Sequence, residues 1–228
     1  MSSLPTVGGD GPHAGQPILT AGAPKAAAEA ALVLLHGRGA RPGTVLDLAD
    51  ELGRSGVTHI APEAYHNTWF PHAATAEREL NQPQLDSALR AVDDAVELAA
   101  DAGVPREKVV VLGFSQGACL AAESVYRNPQ RYGGLAALSG CLMGPENTTI
   151  PDTEGEGLDG TPTFFGCDED DPHVPASRVR ESADAYRERG ADVTTRLYEG
   201  LGHQVNEDEM DWVRHTLDDL LDPSGEPF

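Results

Sequence analysis

Three residue types able to carry acyl chemistry occur along this chain in a telling order. Ser115 lies between two glycines, a run of acids occupies positions 168–171, and His203 follows Gly202 ahead of the last apolar-periodic segment. A serine hydroxyl is a poor nucleophile at neutral pH and needs a base to take its proton. That base needs a third group to fix its tautomer and to stabilise the imidazolium. The stretch Gly113-Phe114-Ser115-Gln116-Gly117 follows an unbroken aliphatic run, 109–112, and precedes small, helix-compatible residues, 118–122. This is the pattern of a sharp strand-to-helix turn that holds a serine exposed. Side chains two positions either side of the serine would strike the neighbouring strand and helix, so both glycines have a steric reason. The amides opening the helix face the serine, where negative charge would develop. Gly-x-Ser-x-Gly alone is common loop composition; its flanks make Ser115 the candidate nucleophile.

The acid is less sharply marked. Asp168, Glu169, Asp170 and Asp171 all compete, and Asp171 is favoured because Pro172 restricts it to an extended backbone. The other three read as solvated loop charges. A serine, then an acid, then a histidine is the chain order of one known arrangement of such a triad. Two backbone amides are also needed to hold an oxyanion. Gln116, after the serine, supplies one, and Arg38, in the glycine-rich turn His36-Gly37-Arg38-Gly39, supplies the other.

These residues need elements to position them. Aliphatic runs at 31–35, 57–61, 109–112, 133–139, 161–166 and 192–198 read as strands, with a short strand near 17–20. Helical spacing of apolar residues marks 44–54, a long helix from Pro83 with the stripe Leu85, Leu89, Val92, Val96 and Ala99, then 116–127 and 176–189. A last helix starts near Asn206, with Glu209 placed to complete a capping box. Strands alternating with helices predict an α/β fold with a mostly parallel sheet and helices on both faces. Right-handed crossovers then bring the His36, Ser115, Asp171 and His203 loops to one sheet edge. Residues 1–15 read as a disordered tail, 16–222 as one domain and 223–228 as a frayed end.

Composition narrows the partners. A formal net charge of −21 argues against nucleic acid and against anionic membranes, and no apolar run is long enough to span a bilayer. Three irregularly spaced cysteines, Cys119, Cys141 and Cys167, suit buried free thiols and a cytoplasmic location. His66 and His72 share an irregular loop, which is too weak a signal for a metal site.

Four motifs in order, Leu35-His36-Gly37-Arg38-Gly39, the Ser115 turn with Ala118, Asp171-Pro172-His173-Val174-Pro175 and Gly200-Leu201-Gly202-His203, resemble the phospholipase/carboxylesterase family of α/β hydrolases. The likeness runs from about residue 31 to 221. It implies the α/β-hydrolase fold and esterase or thioesterase chemistry, with Ser115, Asp171 and His203 as triad. It also implies oxyanion donors at Arg38 and Gln116, and no metal or organic cofactor. Ala40 stands where many relatives carry aspartate, and a small or medium soluble ester is the expected substrate. His36, Trp69, Phe70, Leu142 and Met143 are the candidate pocket walls. Two other readings stay open: a lactone or dienelactone hydrolase, and a ligand-binding module without chemistry. A monomer or homodimer is expected.

The acids are spread through every helix, as in proteins adapted to a salt-rich cytoplasm where counterions screen self-repulsion. The melting temperature is therefore expected to rise from low salt to molar KCl; a flat response overturns the salt-adapted reading.

Overall fold

A computed structural model describes residues 4–150, 155 and 157–222. Seven strands, β1 (Ile18–Gly22), β2 (Ala30–Leu35), β3 (Val57–Pro62), β4 (Val109–Phe114), β5 (Gly134–Leu138), β6 (Pro162–Asp168) and β7 (Asp192–Tyr198), form one sheet. Its order is β1-β3-β2-β4-β5-β6-β7. Only β1 runs antiparallel, against β3, and every other pair is parallel. Among the described residues the α-helices are α1 (Pro42–Asp50), α2 (Gln84–Asp101), α3 (Gln116–Arg127), α4 (Ala176–Glu188) and α5 (Glu207–Leu221).

Why these segments form these elements follows from what they bury. Every residue of β2, β3 and β5 is buried, as the unbroken aliphatic runs require of strands covered on both faces. Alternate residues of β2 serve opposite layers. Ala31, Val33 and Leu35 face α2, α3 and α4, while Ala30, Leu32 and Leu34 face α1 and α5. The α2 stripe Leu85, Leu89, Val92, Val96 and Ala99 is buried in the first layer. Met210, Val213 and Leu217 of α5 fill the second. Register then aligns the strand ends: Leu35 pairs with Gly113, Phe114 with Leu138, and Leu138 with Gly166. The loops that follow these strands open on one edge.

The N-terminal segment departs from the expected disordered tail. Thr6 bridges Pro17, Val7 N–H donates to the Gln16 carbonyl at 2.9 Å, and Gly8 N–H donates to Asp94 Oδ2 at 2.7 Å. Val7 and His13 are buried. Composition hid this because the arm is held by backbone hydrogen bonds and single side chains, not by an apolar stripe. Residues 1–3 and the expected frayed end at 223–228 lie outside the described residues.

The capping box of α5 is complete: Glu209 N–H donates to Asn206 Oδ1 at 3.0 Å, and Asn206 N–H donates to Glu209 Oε2 at 2.9 Å. Its cost is burial of the carboxyl, whose Oε1 has no hydrogen-bond partner among the described residues. That burial raises the Glu209 pKa to about 7 from 4.5, against the pull of the Asn206 amide. The folded chain therefore keeps a proton that the unfolded chain releases, so this group makes stability fall as pH rises across that window. Glu209→Gln retains the capping geometry. Urea unfolding at about pH 5 and pH 8 should show a smaller loss of stability for Glu209→Gln than for the parent, by up to about 3 kcal/mol.

Candidate active site

Ser115 sits at φ 56°, ψ −118°, between the last residue of β4 and the first of α3. A non-glycine residue holds such a conformation only when its surroundings impose it. Here the two flanking glycines allow the imposition. A Cβ on Gly113 would lie 2.2 Å from the Gly117 carbonyl oxygen, and a Cβ on Gly117 would lie 2.0 Å from the Leu35 carbonyl oxygen. The helix thus starts in contact with the ends of both β4 and β2. Ser115 N–H is tied to the Leu138 carbonyl of β5 at 2.9 Å.

Three distant side chains meet at this turn. Ser115 Oγ lies 2.8 Å from His203 Nε2, and His203 Nδ1 lies 2.7 Å from Asp171 Oδ2. A carboxylate only accepts, so Nδ1 carries the proton and Nε2 is free to accept from the serine hydroxyl. The second Asp171 oxygen takes the amides of His173 at 2.8 Å and Val174 at 3.0 Å. Partial burial alone would raise the Asp171 pKa, but the His203 hydrogen bond and those two amides hold it below the usual carboxylate range. The His203 ring lies between Phe114 and His173, with ring centroids 5.0 and 4.8 Å away.

The run of four acids resolves into distinct jobs. Asp168, expected to be a solvated loop charge, is instead buried at the end of β6. Its Oδ2 accepts the Gly202 amide and its Oδ1 the Asp170 amide, both at 2.8 Å. One carboxylate therefore fastens the loop carrying His203 to the loop carrying Asp171. Glu169 is a surface charge paired with Arg180. No local pattern in the sequence marks Asp168, because its partners are backbone amides 2 and 34 residues away.

The two residues expected to donate amides to an oxyanion, Arg38 and Gln116, border the same cavity as the serine. Gln116 is the first residue of α3, where helix geometry leaves N–H groups without intrahelical partners. The turn after β2 runs beside it, with a Cβ on Gly37 placed 3.6 Å from Ser115 Cβ. The side chains of these two residues do something else. Arg38 Nη1 donates to Pro71 O at 3.1 Å, and its Nη2 donates to Phe70 O and His72 O, each at 2.9 Å. Gln116 Oε1 accepts the Trp69 amide at 2.9 Å, and its Nε2 donates to Phe70 O at 2.8 Å. Together they clamp the segment 69–72.

A cavity of about 590 Å³ opens at Ser115 and His203. Phe70 lines it, as expected, together with Phe114, Val174, Cys119 and the α1 residues Thr44 and Val45. The other four expected walls do not. Trp69 is fully buried, its Nε1 donating to the His36 carbonyl at 2.8 Å. His36 is itself buried, with Nε2 accepting the Ala64 amide at 3.1 Å. Leu142 and Met143 follow β5 but turn down between α3 and α4. There Ser182 and Glu123 accept their amides and Arg178 donates to their carbonyls. Of the loop histidines, His72 borders the cavity, while the His66 ring rests on Tyr65.

A parallel sheet whose strands deliver a strained serine, then an acid, then a histidine to one edge is the α/β-hydrolase arrangement. Within that class, the chain belongs to the phospholipase/carboxylesterase family, which it matches over residues 18–221. A phospholipase/carboxylesterase from Dyadobacter fermentans is 38% identical, with a TM-score of 0.84 over 89% of this chain and 96% of that one. An acyl-protein thioesterase 1 from Gibberella zeae is 29% identical over 57% of this chain. A probable inactive carboxylesterase from Oryza sativa is 27% identical over 69% of this chain and 65% of its own. The chain spans about half the length of the first of these curated relatives, 55%.

The tie made by Asp168 can be read directly. In Asp168→Ala the Gly202 amide should exchange its hydrogen at least about tenfold faster, while the Val111 amide of β4 is unchanged. Equal exchange at Gly202 in both proteins would show that the loop is held by other contacts.

Proposed function

We propose that this chain is a serine hydrolase that cleaves carboxylic esters, or thioesters, of small to medium soluble substrates through an acyl-enzyme on Ser115. The observation that carries this reading is the unbroken chain of short contacts from Ser115 Oγ through His203 to Asp171. Family membership alone would not carry it, since one relative bears the name of a probable inactive carboxylesterase.

The chemistry follows from the geometry. His203 Nε2 takes the hydroxyl proton as Ser115 Oγ attacks the carbonyl carbon, and Asp171 stabilises the imidazolium without itself being protonated. The Arg38 and Gln116 amides meet the developing oxyanion, and the start of α3 adds its favourable field. Collapse expels the alcohol or thiol, which receives the proton from His203. A water then repeats the sequence on the acyl-enzyme, with His203 as base, to release the acid.

The cavity volume of about 590 Å³ suits a ligand of drug-like size and not a long bound chain. A cytoplasmic location is supported by the three cysteines, all buried and unpaired. A salt-adapted surface is supported by the net charge of −21. Among the described residues no helix is long and apolar enough to cross a membrane. Cys119, the thiol nearest the serine in sequence, is buried one turn into α3 with its Sγ accepting the Cys141 amide at 3.4 Å, while Ser115 holds the strained position between strand and helix, which favours serine over cysteine chemistry.

A fluorophosphonate probe should label Ser115 in the native protein. Ser115→Ala should lose several orders of magnitude in kcat, and Asp171→Asn about 10⁴-fold, because asparagine favours the wrong His203 tautomer. An unlabelled Ser115 in folded protein, or hydrolysis that survives Ser115→Ala, overturns this function.

A further inference from the structure

The surface of this chain is acidic, with 37 aspartates and glutamates among 228 residues, about one in six. The cavity at Ser115 is the opposite. None of the residues lining it is acidic, and they include Arg38, His72, His173 and His203. Asp171, the carboxylate closest to this chemistry, is fully committed to His203 and to the His173 and Val174 amides.

Arg38 is the charge that matters. Arg54, Arg180, Arg187, Arg196 and Arg214 each pair with a carboxylate. Arg38 pairs with none among the described residues; its three bonds go to the carbonyls of Phe70, Pro71 and His72. Carbonyl oxygens orient a guanidinium but leave its full charge in place. They also leave Nε–H and one Nη1–H unused of its five donors. The side chain is exposed at the cavity while its head is held still, so little further ordering is required to receive an acceptor. The imidazoles of His72 and His173 border the same cavity, and neither ring hydrogen bonds to another side chain among the described residues.

Helix placement is consistent with this. The first turns of α1 and α3 border the cavity, and neither carries an acid, whereas α5, which starts elsewhere, opens with Glu207, Asp208 and Glu209. The acidic shell does not cancel the local field. Exposed charges are largely screened beyond about 8 Å at physiological ionic strength, and at contact distance the guanidinium is not.

We propose that the preferred ester carries an anionic group, a carboxylate or its equivalent, near the scissile bond, and that Arg38 with the imidazoles of His72 and His173 receives it. This rests on the ester-hydrolase reading above and adds to it the charge class of the substrate. Arg38 thereby serves twice, its amide facing the oxyanion and its guanidinium selecting the substrate.

The test compares esters of equal length that differ in one charge. For the acyl side, ethyl butyrate is set against monoethyl succinate. For the alcohol side, propyl butyrate is set against 3-butyryloxypropanoate. Turnover is followed by NMR in about 0.5 M KCl, where the distant acids are screened to within a few ångströms. On at least one side, kcat/KM should favour the anionic ester by about tenfold or more, mainly through KM. The side that responds locates the anion relative to the scissile bond. In Arg38→Gln, which removes the charge, the anionic-to-neutral ratio should fall towards one. In Arg38→Lys, which keeps it, a preference should survive. Neutral esters hydrolysed as well as their anionic partners on both sides, with Ser115 labelled by fluorophosphonate, would overturn this inference and leave the hydrolase standing. An unchanged ratio in Arg38→Gln would likewise overturn it. No turnover of any ester and no labelling would overturn both.

Discussion

The first turn of α3 lies against the ends of β2 and β4 with no space for a side chain between them. The close approach at Gly113 and Gly117 sets the path of the backbone, and Ser115, caught between strand end and helix start, is left at positive φ. Its hydroxyl is thereby presented at the sheet edge, next to the start of α3, where helix geometry leaves amides without intrahelical partners. The same approach brings the turn after β2 beside the serine. The positions of Ser115, of the turn after β2 and of the start of α3 follow from one steric condition, enforced by the fully buried strands on either side.

The second half of the site depends on charge in place of sterics. Two carboxylates three residues apart, Asp168 at the end of β6 and Asp171 in the loop after it, accept five hydrogen bonds between them, four from backbone amides and one from His203. Asp171 fixes the imidazole, and Asp168 fixes the loop on which the imidazole rides. The glycines flanking this loop, Gly200 and Gly202, sit at φ 70° and 71°, so its own backbone offers little resistance to movement. The carboxylate tie supplies the restraint that the glycines lack. Burial of Asp168 is tolerable because each of its oxygens has a fixed N–H to accept.

These two halves differ in how far the sequence discloses them. Sheet, helices, serine turn and triad order are legible because each is written locally: aliphatic runs, period-3.6 stripes, paired glycines, a proline after the acid. Asp168 is not, since its meaning comes from an amide 34 residues away. Nor is the fate of Leu142 and Met143. Their apolar character fits a pocket wall and a core equally, and Arg178, Ser182 and Glu123 decide the matter from other helices. The N-terminal arm is the least legible of all. A Gly- and Pro-rich stretch looks unstructured until His13 is seen inside the fold, its Nδ1 accepting the Tyr65 amide at 3.0 Å and its Nε2 donating to Trp69 O at 2.9 Å.

That arm changes how the cavity wall must be understood. The segment 64–72 is held by His13, by His36, by the Gln116 side chain and by the Arg38 guanidinium. Both buried histidines use one ring nitrogen as an acceptor for a backbone amide, which requires the neutral ring, and burial lowers both pKa values in the direction that keeps it so. Two of the four holders, Arg38 and Gln116, are the residues proposed to donate their amides to the oxyanion. The wall at Phe70 and the oxyanion turn therefore behave as one unit: displacing the wall means breaking bonds to Arg38 and Gln116, and so disturbing the amides beside Ser115. Freedom to alter the cavity without that penalty lies at Thr44 and Val45 of α1 and at Ala73 and Ala74, whose side chains make none of these bonds. Substrate size can diverge at those positions while the chemistry at Ser115 stays fixed.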